Sequence, residues 1–254
     1  MTSASFSPEM PRQRVSCIIP AFNEEDRIGL VLGAVIGHPL IDEVIVVDDG
    51  SKDETARIAQ GMDGPRVIVH EQNGGKSRAL ATGIEAATGD ILLLIDADLV
   101  ALTPAHLTAL IEPVLAGRAD VSISLRDNTP GVWKAIGPDH ISGERAFPRA
   151  LVADHLDAIR ALPKFGFEVF FNKLCVAQRC RLAVVRWENV ESPFKYKKYG
   201  FVKGTVADAR MFADLCKTVN PLVLVAQILA MLRLRVELAP GTPRLHRFFR
   251  IGRR

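Results

Sequence analysis

Asp96 and Asp98 flank Ala97 at the end of the apolar run 91–95. In extended backbone, alternate side chains point the same way, so the two carboxylates would share a side and Ala97 would turn away. Neighbouring carboxylates repel unless a cation lies between them. Hard oxygen ligands suit Mg²⁺ or Mn²⁺, and such ions commonly bridge a protein carboxylate to a diphosphate. Taken alone, the same pair also fits a strand end with two solvated acids. A second acidic pair, Asp48 and Asp49, closes the run 44–47 and is followed by Gly50 and Ser51. Asp-Gly-Ser by itself is an ordinary turn sequence.

The elements that would carry these residues alternate. Residues 15–20 read as a buried strand. Asn23 then looks like a helix N-cap, with acids at 24–26 and Ile28, Val31, Leu32, Val35 and Ile36 at helical spacing. Residues 43–49 form a second strand, and Ser51 with Glu54 has the spacing of a capping box. A third strand is expected at 66–71, a glycine turn and helix at 73–87, and a fourth strand at 90–99. A capped helix at 103–117 and a fifth strand at 119–127 complete the series. Five strands alternating with helices predict an α/β fold with a doubly wound, mostly parallel sheet. In such sheets ligands bind outside the carboxyl ends of the strands. Every one of the five predicted ends is polar: "PAFNEE", "DDGS", "EQNGGK", "DAD" and "LRD". One such end is weak evidence, but five on one edge are hard to explain as turns.

Beyond residue 127 the rhythm breaks. A Gly/Pro-rich stretch (128–144) precedes a helix expected near 148–160. A further helix is expected at 167–179, a strand at 181–187, and a basic, aromatic loop at 192–204. The reading is a disordered leader (1–13) and a single domain (14–220), comprising a nucleotide-sugar-binding half (14–127) and an acceptor-side lobe (128–220). An apolar segment and basic tail (221–254) follow.

The chain has 254 residues, 48% hydrophobic and 24% charged, enough for a real core. Its net charge of +3 is unevenly spread. From Arg233 onward there are seven arginines against Glu237, a net of +6, which leaves −3 on residues 1–232. The tail suits either plain solvation or an anionic surface. The run 221–232 spans about 18 Å as a helix, short of a bilayer's roughly 30 Å core. It is a core helix or one lying on a membrane. Cys17, Cys175, Cys180 and Cys216 fit no zinc spacing and read as buried free thiols in a reducing compartment.

"PAFNEE", "VVDDGSKDET", "NGGKSRAL" and "DAD" occur in the order and spacing of family 2 glycosyltransferases, which the chain resembles strongly over about 15–127. A weaker likeness in "SGERAF", "GFEVFFN" and "KYKKYG" points to the polyprenyl- or dolichyl-phosphate sugar transferase branch. The resemblance implies a GT-A fold, a UDP- or GDP-sugar donor and Mg²⁺ or Mn²⁺. It places Pro20, Ala21, Asn23 and Glu24 in the nucleotide pocket. Asp49, with Asp48, would hold the base or ribose, and Lys76, with Arg78, would lie near the nucleotide. Asp96, Ala97 and Asp98 would meet the metal-diphosphate, with His140 as a further metal ligand. Arg126 and Arg145 match phosphate-contacting arginines. Glu144 departs from the aromatic or aliphatic residue common there, which bears on the acceptor. Q-x-x-R-W is absent, so a polysaccharide synthase is not expected.

Cleaving the sugar–phosphate bond leaves a nucleoside diphosphate whose charge a metal stabilises. Asp98, Glu144 and Arg145 are the catalytic candidates. A hydroxyl acceptor needs a base, for which Glu144, Asp139 and Glu168 are candidates in that order. A phosphate acceptor is already largely ionised and needs cations instead, and Arg126, Arg145, Lys195, Lys197 and Lys198 supply them. The expected acceptor is lipid-linked, such as a polyprenyl phosphate, met at the cytoplasmic face of a membrane. The alternatives are a soluble hydroxy acid or glycan, or nucleotide binding without transfer. No nucleic-acid partner is expected. A dinucleotide site is excluded, because "PAFNEE" stands where G-x-G-x-x-G would be.

Overall fold

The computed structural model describes residues 12–126, 142–163, 166–191 and 221–237, with side chains from 225 onward in the last stretch. Seven strands form one sheet in the order β3-β2-β1-β4-β6-β5-β7. They are β1 (Val15–Ala21), β2 (Glu43–Asp48), β3 (Arg66–Val69), β4 (Ile91–Leu94), β5 (Val121–Arg126), β6 (Arg145–Pro148) and β7 (Leu182–Trp187). All pairings are parallel except those of β6, which runs antiparallel between β4 and β5.

The helices are α1 (Ile28–Val35), α2 (Thr55–Gln60), α3 (Lys76–Ala86), α4 (Pro104–Leu115), α5 (Leu156–Arg160), α6 (Gly166–Ala177) and α7 (Pro221–Arg233). Alternation along the strands builds a core on each face. Cys17, Ile19, Val44, Val46 and Leu93 pack with α1 and α4. Ile18, Ile45, Val47, Leu92 and Leu94 pack with α3 and α6. Burial on both faces explains why these strands read as continuous apolar runs. From β1 the chain winds one way to β2 and β3, then returns to β4 on the other side of β1. That reversal makes the carboxyl ends of β1 and β4 the place for a crevice.

The predicted strands stand, with ends shifted by a few residues. Four local expectations do not. Asn23 is not an N-cap: α1 begins five residues later, and Asn23 sits in the left-handed region at φ 54. Its Oδ1 instead accepts the Lys52 N–H, tying the loop after β1 to the loop after β2. Ser51 does not cap α2, which starts at Thr55 without a side-chain cap. The expected fourth strand ends at Leu94, so Asp96 and Asp98 lie in a turn rather than in extended backbone. The helix expected near 148–160 is two 3₁₀ turns and a five-residue α5, preceded by the unpredicted β6. A four-residue strand containing a buried arginine and ending in proline carries no period-2 signal. Arg12, assigned to the leader, is held at 3.0 Å by Asp42.

At the opposite, amino edge of the sheet, Glu43 joins three strand starts. Its Oε1 accepts from Ser16 Oγ, from the Thr88 N–H and Oγ1 at 2.6 and 2.8 Å, and from the Gly89 N–H at 3.2 Å. Burial by itself would raise this carboxyl, but the hydrogen bonds outweigh it and hold Glu43 below its ordinary range. A depressed folded-state value stabilises above the unfolded pKa and is lost as pH falls. Glu43→Gln is therefore expected to cost about 1 kcal/mol at pH 7, a figure discounted for the carboxylate's partial solvation. Urea denaturation of both proteins should show that gap closing below about pH 4.

Candidate active site

The loops at the carboxyl edge are held mainly by side chains accepting backbone N–H groups. Asp48, 1% exposed, accepts the Ser51 N–H at 3.0 Å and the Ser51 hydroxyl. Ser51 Oγ in turn accepts the Asn23 N–H at 2.9 Å. Thr55 Oγ1 accepts the Glu24 N–H at 2.7 Å. Asp49, 2% exposed, pairs with His70 Nδ1 at 2.8 Å. It also accepts the N–H groups of Gly74 (3.0 and 3.1 Å) and Gly75 (2.6 Å). The acidic pair was expected to read a nucleoside. In this structure its oxygens are turned inward and organise the loops. Asp49 in particular fastens the glycine turn that launches α3 and so presents Lys76. Gly50 allows the close approach: it has φ +73, and a Cβ there would lie 2.8 Å from the Asn73 nitrogen. Pro20 and Ala21 close β1 at the same edge, with Phe22 half-exposed beyond them.

Lys76, at the first position of α3, is the centre of the charged cluster. Its Nζ lies 2.7 Å from Asp96 Oδ1 and 3.2 Å from Glu168 Oε1. Burial pulls the ammonium down, yet Asp96 and Glu168 together outweigh it and raise Lys76 above its ordinary value. Burial likewise pushes Asp96 up, but Lys76, then Arg126 and Arg145, hold it below its ordinary value. Asp96 is thus an ionised carboxylate at neutral pH, with a cation already on it.

Behind it, Glu144 is fully buried. Its Oε2 accepts from Ser124 and Ser142, each at 2.7 Å, and its Oε1 meets Arg126 Nη1 at 3.1 Å. A carboxylate held by three donors is an anchor, not a base poised for a substrate hydroxyl. The first-ranked base candidate therefore becomes a positioning residue for Arg126. Arg145 is also fully buried. It donates to Asn172 Oδ1 at 3.4 Å and to the Ser142 carbonyl, and its guanidinium lies 4.8 Å from the Phe171 ring centroid. Burial lowers it from its usual value, with Glu168 the first group to offset this. It adds positive potential beneath the site, and in this conformation its donors are turned to Asn172 and the Ser142 carbonyl.

Gly143 closes the arrangement. A Cβ on it would fall 2.4 and 2.5 Å from the Asp96 oxygens and 2.6 Å from Lys76 Nζ, so no other residue fits without moving them. Gly143→Ala is expected to fold normally while weakening any ligand that uses Asp96 by about tenfold, checked by calorimetric titration against the native chain. Glycine 143, Ser124, Ser142, Asn172 and His70 were not singled out from the sequence. Only the weak likeness in "SGERAF" and "GFEVFFN" took in the first, third and fourth of these positions.

The residues present fit a divalent cation shared with a diphosphate. Asp96 and Asp98 are partly exposed on the same turn while Ala97 is 4% exposed. Among the described residues no three His, Cys, Asp or Glu side chains are grouped as a metal cage, and a diphosphate would bring oxygen ligands of its own. His140, Asp139, Lys195, Lys197, Lys198 and Cys216 lie outside the described residues. Cys17, Cys175 and Cys180 are free and buried, as expected. A separate cavity of about 170 Å³, lined in part by Asp120, Leu151, His155 and Cys180, lies at the opposite edge of the sheet.

Known proteins resemble this chain in sequence and fold. The chain is 34% identical over 125 residues to the glucosyl-3-phosphoglycerate synthase of Mycolicibacterium paratuberculosis, covering 46% of this chain and 38% of that protein. It is 34% identical over 105 residues to human dolichyl-phosphate beta-glucosyltransferase, covering 35% and 32%. The matches thus span about a third of the length of these curated relatives. Among solved structures, glucosyl-3-phosphoglycerate synthase from Mycobacterium tuberculosis with Mn²⁺, UDP and phosphoglyceric acid superposes with a TM-score of 0.59 at 27% identity, over 71% of each chain. The same enzyme has been solved with Mg²⁺ and UDP. These neighbours have the GT-A fold expected from the sequence. Residues 16–175 match the Glycosyl transferase family 2 model, and the chain belongs to that family.

Proposed function

We propose that the chain transfers a sugar from a nucleoside diphosphate sugar, UDP- before GDP-linked, to an acceptor carrying phosphate. The observation that carries this is the cluster at the β1–β4 switch point: Asp96 and Asp98 on one turn, with Lys76, Arg126 and Arg145 arranged around and beneath them. A bound Mg²⁺ or Mn²⁺ would supply Lewis-acid stabilisation of the departing diphosphate. Asp96 and Asp98 would hold it. Lys76 would add a donor toward the phosphates, and Arg126 and Arg145 a positive field for the charge that develops there. Glu144 keeps Arg126 in place, and Asp49 keeps Lys76 in place through the glycine turn. A phosphate acceptor is consistent with a site rich in cations whose leading base candidate is fully occupied by protein donors.

The source of that phosphate has two readings. A lipid phosphate is favoured by α7, which exposes Val225 and Leu229 (54% and 53%), ends in Arg233 and is followed by Arg235. Its other side is docked: Met231 is buried and Gln227 Nε2 donates to the Val169 carbonyl at 2.9 Å. Among the described residues no helix is long and apolar enough to cross a membrane, so contact would be peripheral. A small phosphorylated acid is favoured by the phosphoglyceric acid bound in the M. tuberculosis relative.

The test is a thermal-shift panel of UDP, GDP and CDP with and without Mn²⁺, followed by transfer assays. A ligand well above its dissociation constant raises the unfolding midpoint. A shift needing both UDP and Mn²⁺ is expected; no shift with any diphosphate would sink the donor assignment. Transfer from UDP-glucose to polyprenyl phosphate in liposomes, against 3-phosphoglycerate in solution, separates the acceptors.

A further inference from the structure

We infer that Lys76 is a built-in counter-ion that must leave Asp96 before a divalent cation can bind, so that the metal is admitted together with the donor diphosphate and not ahead of it. The inference rests on the metal role proposed for Asp96 and adds how that site is regulated. In the structure Lys76 Nζ already occupies Asp96 Oδ1 at 2.7 Å, the contact a metal would need. The same ammonium touches a second carboxylate, Glu168 Oε1, at 3.2 Å. Glu168 is 2% exposed, and its Oε2 is buried without a hydrogen-bond partner among the described residues. Lysine therefore has somewhere to go. Released by Asp96, it can move fully onto Glu168, whose second oxygen has unused accepting capacity, while turning its remaining N–H groups toward a phosphate.

Charge balance gives the order. Among the described residues, Lys76, Arg126 and Arg145 face Asp96, Glu144 and Glu168, three charges of each sign, and Asp98 brings the group to −1. A divalent cation arriving alone would make a partly buried cluster net positive and would displace a lysine with nothing to receive its donors. Arriving with a diphosphate, the cation brings its own compensating negative charge, and the phosphate receives the lysine. Gly143 keeps the exchange confined. Having no side chain, it lets the pair sit against its backbone, since a Cβ there would fall within 2.6 Å of both the Asp96 oxygens and Lys76 Nζ. The lysine is in this sense a positioning residue whose contact with Asp96 opposes binding of the metal alone.

The experiment measures Mn²⁺ affinity by electron paramagnetic resonance of free Mn²⁺, with and without UDP, in the full chain and in Lys76→Met, Glu168→Gln and Asp96→Asn. In the native chain, UDP is expected to tighten Mn²⁺ by roughly ten- to a hundredfold, the ordinary range for coupled sites. Lys76→Met should tighten Mn²⁺ alone by about tenfold, leave Mn²⁺ with UDP no tighter, and so collapse the coupling. Glu168→Gln, which removes the second carboxylate and leaves lysine on Asp96, should weaken Mn²⁺ alone. Unchanged or weaker Mn²⁺ binding in Lys76→Met would overturn the inference. So would an equal gain with and without UDP, since that is the signature of net charge alone. Coupling that survives in Asp96→Asn would instead overturn the metal role of Asp96 itself. Circular dichroism melts confirm that each variant is folded before titration.

Discussion

Asp96→Asn is expected to reduce transfer by roughly 10²–10³-fold, the loss typical of removing one group that stabilises charge developing in the transition state. Asp98→Ala should do at least as much, because it deletes the other carboxylate on the turn. Neither is expected to unfold the chain. Asp96 is partly exposed, and its partner Lys76 keeps Glu168 when Asp96 is neutralised. The pattern to look for is a lower kcat with the circular dichroism spectrum and unfolding midpoint near native. Mn²⁺ titration should show the loss directly, with Mn²⁺ no longer enabling UDP to shift the midpoint. Wild-type turnover in either variant would remove both residues from the reaction and leave the turn as two solvated acids.

Arg145→Met is expected to act on stability first. Arg145 is among the largest fully buried side chains, packed at 4.8 and 6.0 Å from the Phe171 and Phe167 ring centroids. Two effects compete. Burying a guanidinium costs desolvation, so an apolar replacement of similar length recovers some free energy. Against that, the Ser142 carbonyl and Asn172 lose their donor, and Glu168 and Glu144 lose a nearby positive charge in a region with little solvent. Breaking one side of a buried charge network typically costs 3–5 kcal/mol, and the second effect should win. A loss of about 3 kcal/mol in guanidinium denaturation is expected. Turnover at low temperature, where the variant remains folded, should fall as well, because the field at Asp96 falls. A variant as stable as the native chain would show that the aromatic contacts alone hold this region.

Both results bear on how α6 and β6 serve the site. β6 runs against the rest of the sheet, so its amino end, not its carboxyl end, lies at the functional edge. That inversion delivers Ser142, Gly143, Glu144 and Arg145 beside Asp96. α6 then brings Glu168 and Asn172 under them from the other face. Neither placement follows from local sequence, because each depends on which strands β6 chooses as neighbours.

The amino-acid sequence alone determined the alternation of strands and helices up to residue 126, since buried parallel strands must be apolar runs and their connecting helices must be amphipathic. It also determined that polar residues collect at the carboxyl ends of the strands, and so which edge is the candidate for a ligand. The pair Asp96 and Asp98 was legible at the end of the fourth strand, though as extended backbone rather than the turn that holds it. Tertiary structure decided the rest. It turned Asp48 and Asp49 inward to hold loops, because backbone N–H groups from residues 51 and 74–75 converge on them only after folding. It made Glu144 an anchor by surrounding it with Ser124, Ser142 and Arg126, residues up to twenty positions away. And it set Lys76 between Asp96 and Glu168, which are 20 and 92 residues further along the chain. Periodicity reports which way a side chain faces within its own element, whereas the roles of these carboxylates depend on donors supplied by other elements.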